Sequence, residues 1–129
     1  MKRFLLDTNA FLFWTAGAKK LSPRARKLME DPGTELLLSA VSSWEIAIKY
    51  SLDKLALPEP PHRFVPSRMT AHSIAGLSFE HADALAVAAL PVIHDDPFDR
   101  ALIAQALRQK LPVITSDERF EEYGVNVEW

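Results

Sequence analysis

The 129-residue chain contains no cysteine, and this absence excludes several classes of site. Disulfides, iron–sulfur clusters, thiolate zinc sites and cysteine nucleophiles all need a thiol. A membrane-spanning run is also absent, because the longest apolar stretch, residues 84–93, falls far short of the ~20 residues required. The basic start at Lys2 and Arg3 resembles a signal peptide, but Asp7 interrupts the apolar stretch that follows. We therefore expect a mature cytosolic protein.

Nucleotide and hydrolase motifs are missing as well. The chain has only 4 glycines and shows neither a glycine-rich phosphate loop nor the Gly-x-Ser-x-Gly motif of serine hydrolases. Its 15 Lys and Arg against 17 Asp and Glu give a net charge of −2, without sign of a broad basic surface. With 48% hydrophobic residues the composition is that of a globular protein. The length predicts a single domain over residues 1–129.

Short apolar strands alternate with helices along the chain. Strands are predicted at residues 4–6, 35–39 and 112–115, with a short edge strand at 125–127. Helices are predicted at residues 23–30, 42–52, 80–90 and 98–110, and the proline-rich stretch 57–66 is predicted to be a loop leading into a helix. Wholly apolar strands alternating with helices indicate an α/β fold with a parallel sheet covered on both faces. In such sheets, sites form outside the carboxyl ends of the strands.

Four acidic residues fall where this fold would bring them together. Asp7 and Asp117 follow strands, whereas Glu45 and Asp99 lie in the first turns of helices. Converging carboxylates repel one another and are costly to desolvate, so they persist where a cation binds. Carboxylate oxygens suit hard cations such as Mg²⁺ or Mn²⁺, which polarise phosphodiesters and activate water. The four acids predict a metal-dependent site that cleaves phosphodiesters.

Some of these acids also have purely structural explanations. Asp7 could cap a turn at the end of its strand, with Thr8 and Asn9 hydrogen-bonding locally. Glu45 could complete a capping box with Ser42, or pair with a lysine four residues later. Trp44, its neighbour, is predicted to lie on the buried face of the same helix.

The segment around residue 96 has similar alternatives. Asp96 is better explained as the N-cap of the helix that begins at Pro97 than as a metal ligand. Asp99 suits the helix dipole, and Asp117 could cap a short helix. His94 is assigned a surface or supporting role rather than metal ligation. No single acid decides the matter, but the four together favour a site.

Four segments in this order resemble the PIN domain, and more closely the VapC toxins of type II toxin–antitoxin pairs. The segments are residues 5–10, 39–49, 96–106 and 113–117, and the likeness extends from residue 4 to residue 129. The resemblance implies a three-layer α/β/α sandwich around a mainly parallel sheet, with Mg²⁺- or Mn²⁺-dependent endoribonuclease activity. The acidic quartet of the family maps onto Asp7, Glu45, Asp99 and Asp117.

The resemblance also implies supporting residues and partners. Thr115, Asn9 and Asp96 match supporting positions that orient the ligands or water. Toxins of this kind form homodimers, are silenced by a VapB-like antitoxin, and cleave tRNA or rRNA. The chain departs from the pattern at Asp95, where a basic residue is common. Two other functions stay open, namely a PIN nuclease that is not a toxin and a non-catalytic module that binds a basic partner peptide.

Overall fold

The computed structural model describes residues 2–17 and 19–129, and its strands form one parallel sheet. The strands are β1 (Lys2–Leu6), β2 (Thr34–Ser39), β3 (Ile74–Leu77), β4 (Val113–Ile114) and β5 (Val127–Glu128). Their order in the sheet is β3-β2-β1-β4-β5. The chain thus builds the sheet outward from β1 in one direction and then returns to add β4 on the other side. Open parallel sheets bind ligands beyond the carboxyl ends of the strands at such a reversal.

Helices cover both faces of this sheet. They are α1 (Thr8–Thr15), α2 (Pro23–Glu30), α3 (Ala40–Ser51), α4 (Pro61–Ala71), α5 (His81–Ala86), α6 (Pro97–Gln109) and α7 (Arg119–Glu122), with a 3₁₀ turn at Val87–Ala89. Side chains of β1 alternate between two cores. Phe4 and Leu6 pack with α1, α2 and α4, whereas Leu5 packs with α6 and α7. This arrangement confirms the predicted α/β/α sandwich.

Two helix starts follow directly from the local sequence. The Ser22 side chain accepts a hydrogen bond from Ala25 N at 3.0 Å, at the start of α2. The Asp96 side chain accepts from Phe98 N at 2.8 Å and from Asp99 N at 3.1 Å, at the start of α6. Proline occupies the first position of both helices, where its missing N–H has no partner to lose. The predicted bounds of both helices are confirmed within a residue.

Other helix starts differ from the prediction. The turn considered at the end of β1 is a helix start instead, because Asp7 caps α1, which begins at the next residue. Helix α3 begins at Ala40 rather than Ser42, since the Ser39 side chain accepts from Val41 N at 3.1 Å. Ser42 therefore lies inside the helix, and the predicted capping box is wrong.

Helix α3 also buries a different face from the one predicted. Its buried residues include Ser42 and Glu45, whereas Trp44 is 55% exposed. The Trp44 ring packs edge-on against Phe98 of α6, with ring centroids 4.8 Å apart. The polar face is buried because hydrogen bonds satisfy Ser42 and Glu45, as described below.

The second half of the chain adds three further differences. Strand β3, at one edge of the sheet, was not predicted, because only Ile74 of its four residues is fully buried. Helix α4 begins within the proline-rich stretch, at Pro61. The helix expected over residues 80–90 is divided into α5 and the 3₁₀ turn.

Among the residues described, no helix is both long and apolar enough to cross a bilayer.

Candidate functional site

Asp7 lies directly beyond the carboxyl end of β1, where the strand order reverses. Its backbone N–H donates to Ile114 O of β4 at 3.1 Å, and the residue is 6% exposed. Its Oδ1 accepts from Ala10 N at 2.6 Å, and its Oδ2 accepts from the Thr115 hydroxyl. The predicted supporting residue Thr115 therefore fixes the orientation of the Asp7 carboxylate.

The same Thr115 hydroxyl connects Asp7 to Asp117. Its oxygen accepts from Asp117 N at 3.0 Å. The Asp117 carboxylate in turn accepts hydrogen bonds from Arg119, at 3.1 Å from Nε and 3.0 Å from Nη2. Burial alone would raise the pKa of Asp117, but these bonds outweigh it and hold that pKa below its ordinary value. Asp117 is thus a charged residue with its own cationic partner.

Glu45 reaches the site from α3 and is as buried as Asp7. The Thr8 hydroxyl donates to Glu45 Oε1 at 2.6 Å, and Ser42 Oγ lies 2.9 Å from the same hydroxyl. Lys49, one turn later on α3, forms an ion pair with Glu45 Oε2. The hydrogen bond to Glu45 raises the pKa of Lys49. The predicted pairing of Glu45 with the lysine four residues later is therefore present.

Asp99 enters the site from the first turn of α6, next to His94. His94 Nε2 lies 2.9 Å from Asp99 Oδ2 and 3.3 Å from Asp117 Oδ2. One ligand atom from each of these residues lies within 4.8 Å of the others. His94 is only 4% exposed, so a surface position for it is wrong. The ring lies within the acidic cluster itself.

The pKa of Asp7 shows that the acids act on one another. Burial raises it from 3.8 to about 6, although the hydrogen bonds from Thr115 and Ala10 N lower it in part. The charges of Glu45 and Asp117 are the smaller causes of the same rise. These two residues come from different elements, and both reach Asp7 electrostatically.

Asp99 shows the same pattern more strongly. Burial raises its pKa from 3.8 to about 7, and the charge of Asp96 contributes next. The His94 ring opposes this rise, whereas the charges of Glu45 and Asp7 add to it. The structure therefore brings together all four acids that the sequence predicts.

The cationic side chains of the site are unevenly shared among these acids. Lys49 pairs with Glu45 and Arg119 pairs with Asp117. Within residues 2–17 and 19–129, no lysine or arginine forms an ion pair with Asp7 or Asp99. Of the four acids, the two with raised pKa are thus the two without a lysine or arginine partner among the described residues.

The remaining predicted residues lie at the border of this cluster. Asp96 caps α6, and its charge raises the pKa of Asp99. Asn9 is exposed in the first turn of α1, and the structure shows no hydrogen bond from its side chain to any described residue. Sequence reasoning missed the contact of Thr8 with Glu45 and the burial of His94, to which it had assigned a surface or supporting role. The prediction placed the nearby residues Asp7 and Asp96 at the site, but no sequence pattern showed that the side chains of Thr8 and His94 point inward.

The PIN domain family model matches residues 4–126. This chain belongs to the PIN domain family. Ribonuclease VapC16 of Mycobacterium tuberculosis is 47% identical over 57 residues, which cover 44% of this chain and 40% of that relative. Ribonuclease VapC22 of the same organism is 26% identical over 124 residues, covering 95% of this PIN chain and 93% of that relative. The chain therefore aligns with less than half of the first relative and with nearly all of the second.

Solved structures show the same PIN fold. DNA-bound VapBC from Salmonella typhimurium has a TM-score of 0.70 at 20% identity, covering 99% of this chain and 98% of that chain. VapBC2 from Rickettsia felis, bound to a DNA fragment from the promoter, has a TM-score of 0.69 at 13% identity, covering 98% and 97%. At these identities the likeness concerns the fold, and it confirms the predicted PIN-like architecture.

Proposed function

We propose that this PIN domain is a divalent-metal-dependent endoribonuclease and the toxin of a VapBC-type pair. The proposal depends on one observation about the carboxyl groups of Asp7 and Asp99. Both are carboxyls with raised pKa, and both lack a lysine or arginine partner among the described residues. Buried carboxylates that repel one another are stabilised when a cation binds between them.

The donor set fits a hard cation. Its groups are carboxylate oxygens, which Mg²⁺ and Mn²⁺ prefer over sulfur or nitrogen. Asp7, Glu45 and Asp99 would hold such an ion, and Asp117 would ligate it directly or through water. When bound, the ion polarises a phosphodiester and lowers the pKa of the attacking water.

The surrounding side chains hold these carboxylates in fixed orientations. Thr115 and the N–H of Ala10 hold both oxygens of Asp7, while Thr8 and Lys49 each hold one oxygen of Glu45. Such supporting contacts orient ligands before the cation arrives and commonly change affinity by about 10–100-fold. The site is therefore ordered by hydrogen bonds from this chain alone.

Two cationic side chains lie at the rim of the cluster. The side chains of Lys49 and Arg119 are 41% and 53% exposed. Positive groups at these positions can contact the phosphate oxygens of a nucleic-acid strand. Attack of water on phosphorus with departure of the 3′ oxygen would leave 5′-phosphate and 3′-hydroxyl ends.

The choice of RNA and of an antitoxin partner rests on the relatives. VapC16 and VapC22 are named ribonucleases, and the solved neighbours are VapBC assemblies. We therefore propose RNA, with tRNA or rRNA as the target, a VapB-like antitoxin as the partner, and a homodimer as the assembly.

The substitution Asp7→Asn tests the catalytic proposal. The asparagine keeps an oxygen for Ala10 N but removes the charge that a cation needs. We expect RNA cleavage in Mn²⁺ to fall about 100-fold or more, with the fold retained by circular dichroism. The measurement is the rate at which the purified protein cleaves RNA in Mn²⁺, and sequencing of RNA 5′ ends after brief induction shows the same loss in cells.

The matched control is Asp53→Asn, on an exposed turn after α3. This variant should cleave like the wild type, and excess EDTA should abolish cleavage by both. Equal cleavage by Asp7→Asn and wild type, or cleavage undiminished by EDTA, would overturn the proposal.

Growth assays separate the toxin from the other functions left open. Expression of the wild type should arrest growth, co-expression of a small neighbouring gene product should restore it, and Asp7→Asn should cause no arrest. Cleavage without growth arrest would identify a PIN nuclease that is not a toxin. Absence of Mn²⁺ binding in calorimetry would instead indicate a non-catalytic module for a basic peptide.

A further inference from the structure

The His94 ring is held in one orientation inside the acidic cluster. It is 4% exposed, and its Nδ1 accepts a hydrogen bond from Asp96 N at 3.1 Å. A ring nitrogen that accepts a hydrogen bond carries no hydrogen, so the ring hydrogen lies on Nε2. The backbone at residue 96 therefore selects the tautomer of His94.

The Nε2 atom lies between two carboxylates from different elements. It is 2.9 Å from Asp99 Oδ2 and 3.3 Å from Asp117 Oδ2. Neither contact has hydrogen-bond geometry, so this buried nitrogen has no full hydrogen bond to the part of the chain that the structure describes. A buried N–H without a full hydrogen-bond partner costs free energy of folding. Its position between two carboxylates therefore calls for an explanation.

The loop that carries the ring is fixed from the other side. The Tyr123 hydroxyl accepts from His94 N at 2.6 Å and from Ile93 N at 3.1 Å. Arg100 of α6 donates to Pro91 O at 2.8 Å and to the Tyr123 hydroxyl at 3.2 Å. The ring position is thus set by contacts to α6 and to the residue that follows α7.

We propose that His94 is a positioning residue whose Nε2–H lies between Asp99 and Asp117, offsets their mutual repulsion electrostatically, and does not ligate the metal. The proposal rests on the proposed function, because it concerns the same cluster. A nitrogen that carries a hydrogen has no lone pair free for a cation. Ligation through Nε2 would move that hydrogen to Nδ1, where it would face the N–H of Asp96.

The geometry also explains why a donor is needed at this point. Asp99 lies on α6 and Asp117 follows β4, so no backbone contact fixes their separation directly. Two neighbouring carboxylates repel each other, and a donor between them offsets part of this repulsion. His94 is therefore expected to keep both carboxylates close enough to share one ion.

The tautomer itself is measured by ¹⁵N NMR of histidine-labelled, metal-free wild type. Long-range ¹H–¹⁵N correlations should place the His94 hydrogen on Nε2, with the signal assigned by its loss in His94→Asn. Addition of Mg²⁺ should leave this pattern unchanged. A hydrogen on Nδ1, or an Nε2 that loses its hydrogen when Mg²⁺ is added, would overturn the proposal.

Two substitutions of His94 distinguish the role of the Nε2 donor from that of the Nδ1 acceptor. Asparagine keeps an acceptor near the Nδ1 position but provides no donor at the Nε2 position, whereas the glutamine amide can reach that position. We expect His94→Asn to weaken Mn²⁺ binding about tenfold in calorimetry and to lower kcat with little change in KM for RNA. His94→Gln should restore most of the Mn²⁺ affinity and most of kcat. The control is His81→Asn, at an exposed histidine, which should behave like the wild type.

The Mn²⁺ affinity and the His94 tautomer test the proposal without any measurement of RNA cleavage. Wild-type affinity in His94→Asn, or a glutamine variant no better than the asparagine variant, would contradict it. If the variants do not fold, the tautomer measured in the wild type still decides whether Nε2 is a donor. If the wild type neither cleaves RNA nor binds Mn²⁺, the proposed function fails while the tautomer still tests the donor assignment.

Discussion

At the scale of single residues, the site depends on carboxyls that burial makes hard to ionise. Asp7 and Asp99 have pKa values raised to about 6 and about 7, whereas Arg119 lowers the pKa of Asp117. The acids therefore differ in charge near neutral pH although they belong to one cluster. A cation that binds there must compete with protons at Asp7 and Asp99.

This difference predicts how the metal-free protein responds to pH. The pKa of Asp7 is higher in the folded state than in the unfolded chain, so the folded state binds the proton more tightly. The free energy of unfolding should therefore fall as pH rises from about 4 through 6, by on the order of 3 kcal/mol from Asp7 alone. Thermal unfolding in EDTA between pH 4 and pH 8 measures the effect.

The control for this prediction is Asp7→Asn, which cannot ionise at that position. Its unfolding free energy should depend less on pH than that of the wild type over the same range. An identical pH dependence in both proteins would show that the folded state does not raise the pKa of Asp7.

The placement of a residue was predictable where its position in the chain determines its position in space. Asp7 and Asp117 follow strands, so a parallel sheet must bring them to one edge. His94 was beyond such reasoning, because its burial depends on Tyr123, 29 residues away in the sequence. No local pattern contains that contact.

At the scale of secondary-structure elements, the start of α6 serves both the helix and the acidic cluster. Asp96 accepts from two backbone N–H groups and, through its own N–H, holds the His94 ring. Its charge also raises the pKa of Asp99. One short segment thus starts the helix and orients a residue of the site.

The cap predicts a difference between two substitutions of Asp96. Alanine removes the acceptor for Phe98 N and Asp99 N, so Asp96→Ala should lower the free energy of unfolding by about 1 kcal/mol. Asparagine keeps an acceptor oxygen, and Asp96→Asn should stay within a few tenths of a kcal/mol of the wild type. Urea unfolding in EDTA provides the measurement. Equal losses in both variants would mean that the charge of Asp96, rather than its cap, stabilises the fold.

The elements that sequence reasoning missed depend on distant packing. The buried strands β1, β2 and β4 were predicted from their apolar runs, and α2 and α6 from cap and proline. Helix α1 follows β1 without a loop, and Phe11 within it packs edge-on against Phe64 of α4, with ring centroids 6.5 Å apart. Since that partner comes much later in the chain, the residues around Asp7 indicated only a turn.

At the scale of the whole molecule, charge distribution matters more than total charge. The net charge of −2 gives no sign of a nucleic-acid binder. The fold nevertheless gathers four acids at the reversal between β1 and β4, with Lys49 and Arg119 beside them. A divalent cation would reverse the local sign there and favour the approach of a phosphate.

Diffraction from crystals grown with Mn²⁺ shows whether the acidic cluster binds a divalent cation, because manganese scatters anomalously and its ligands can be seen. We predict an anomalous peak within ligand distance of Asp7 and Asp99 oxygens, about 2.2 Å for such a hard cation. The same crystals of Asp7→Asn should lose that peak or show it much weakened. A wild-type cluster without anomalous density at saturating Mn²⁺, or a peak bound by His94 Nε2, would contradict this account of the site.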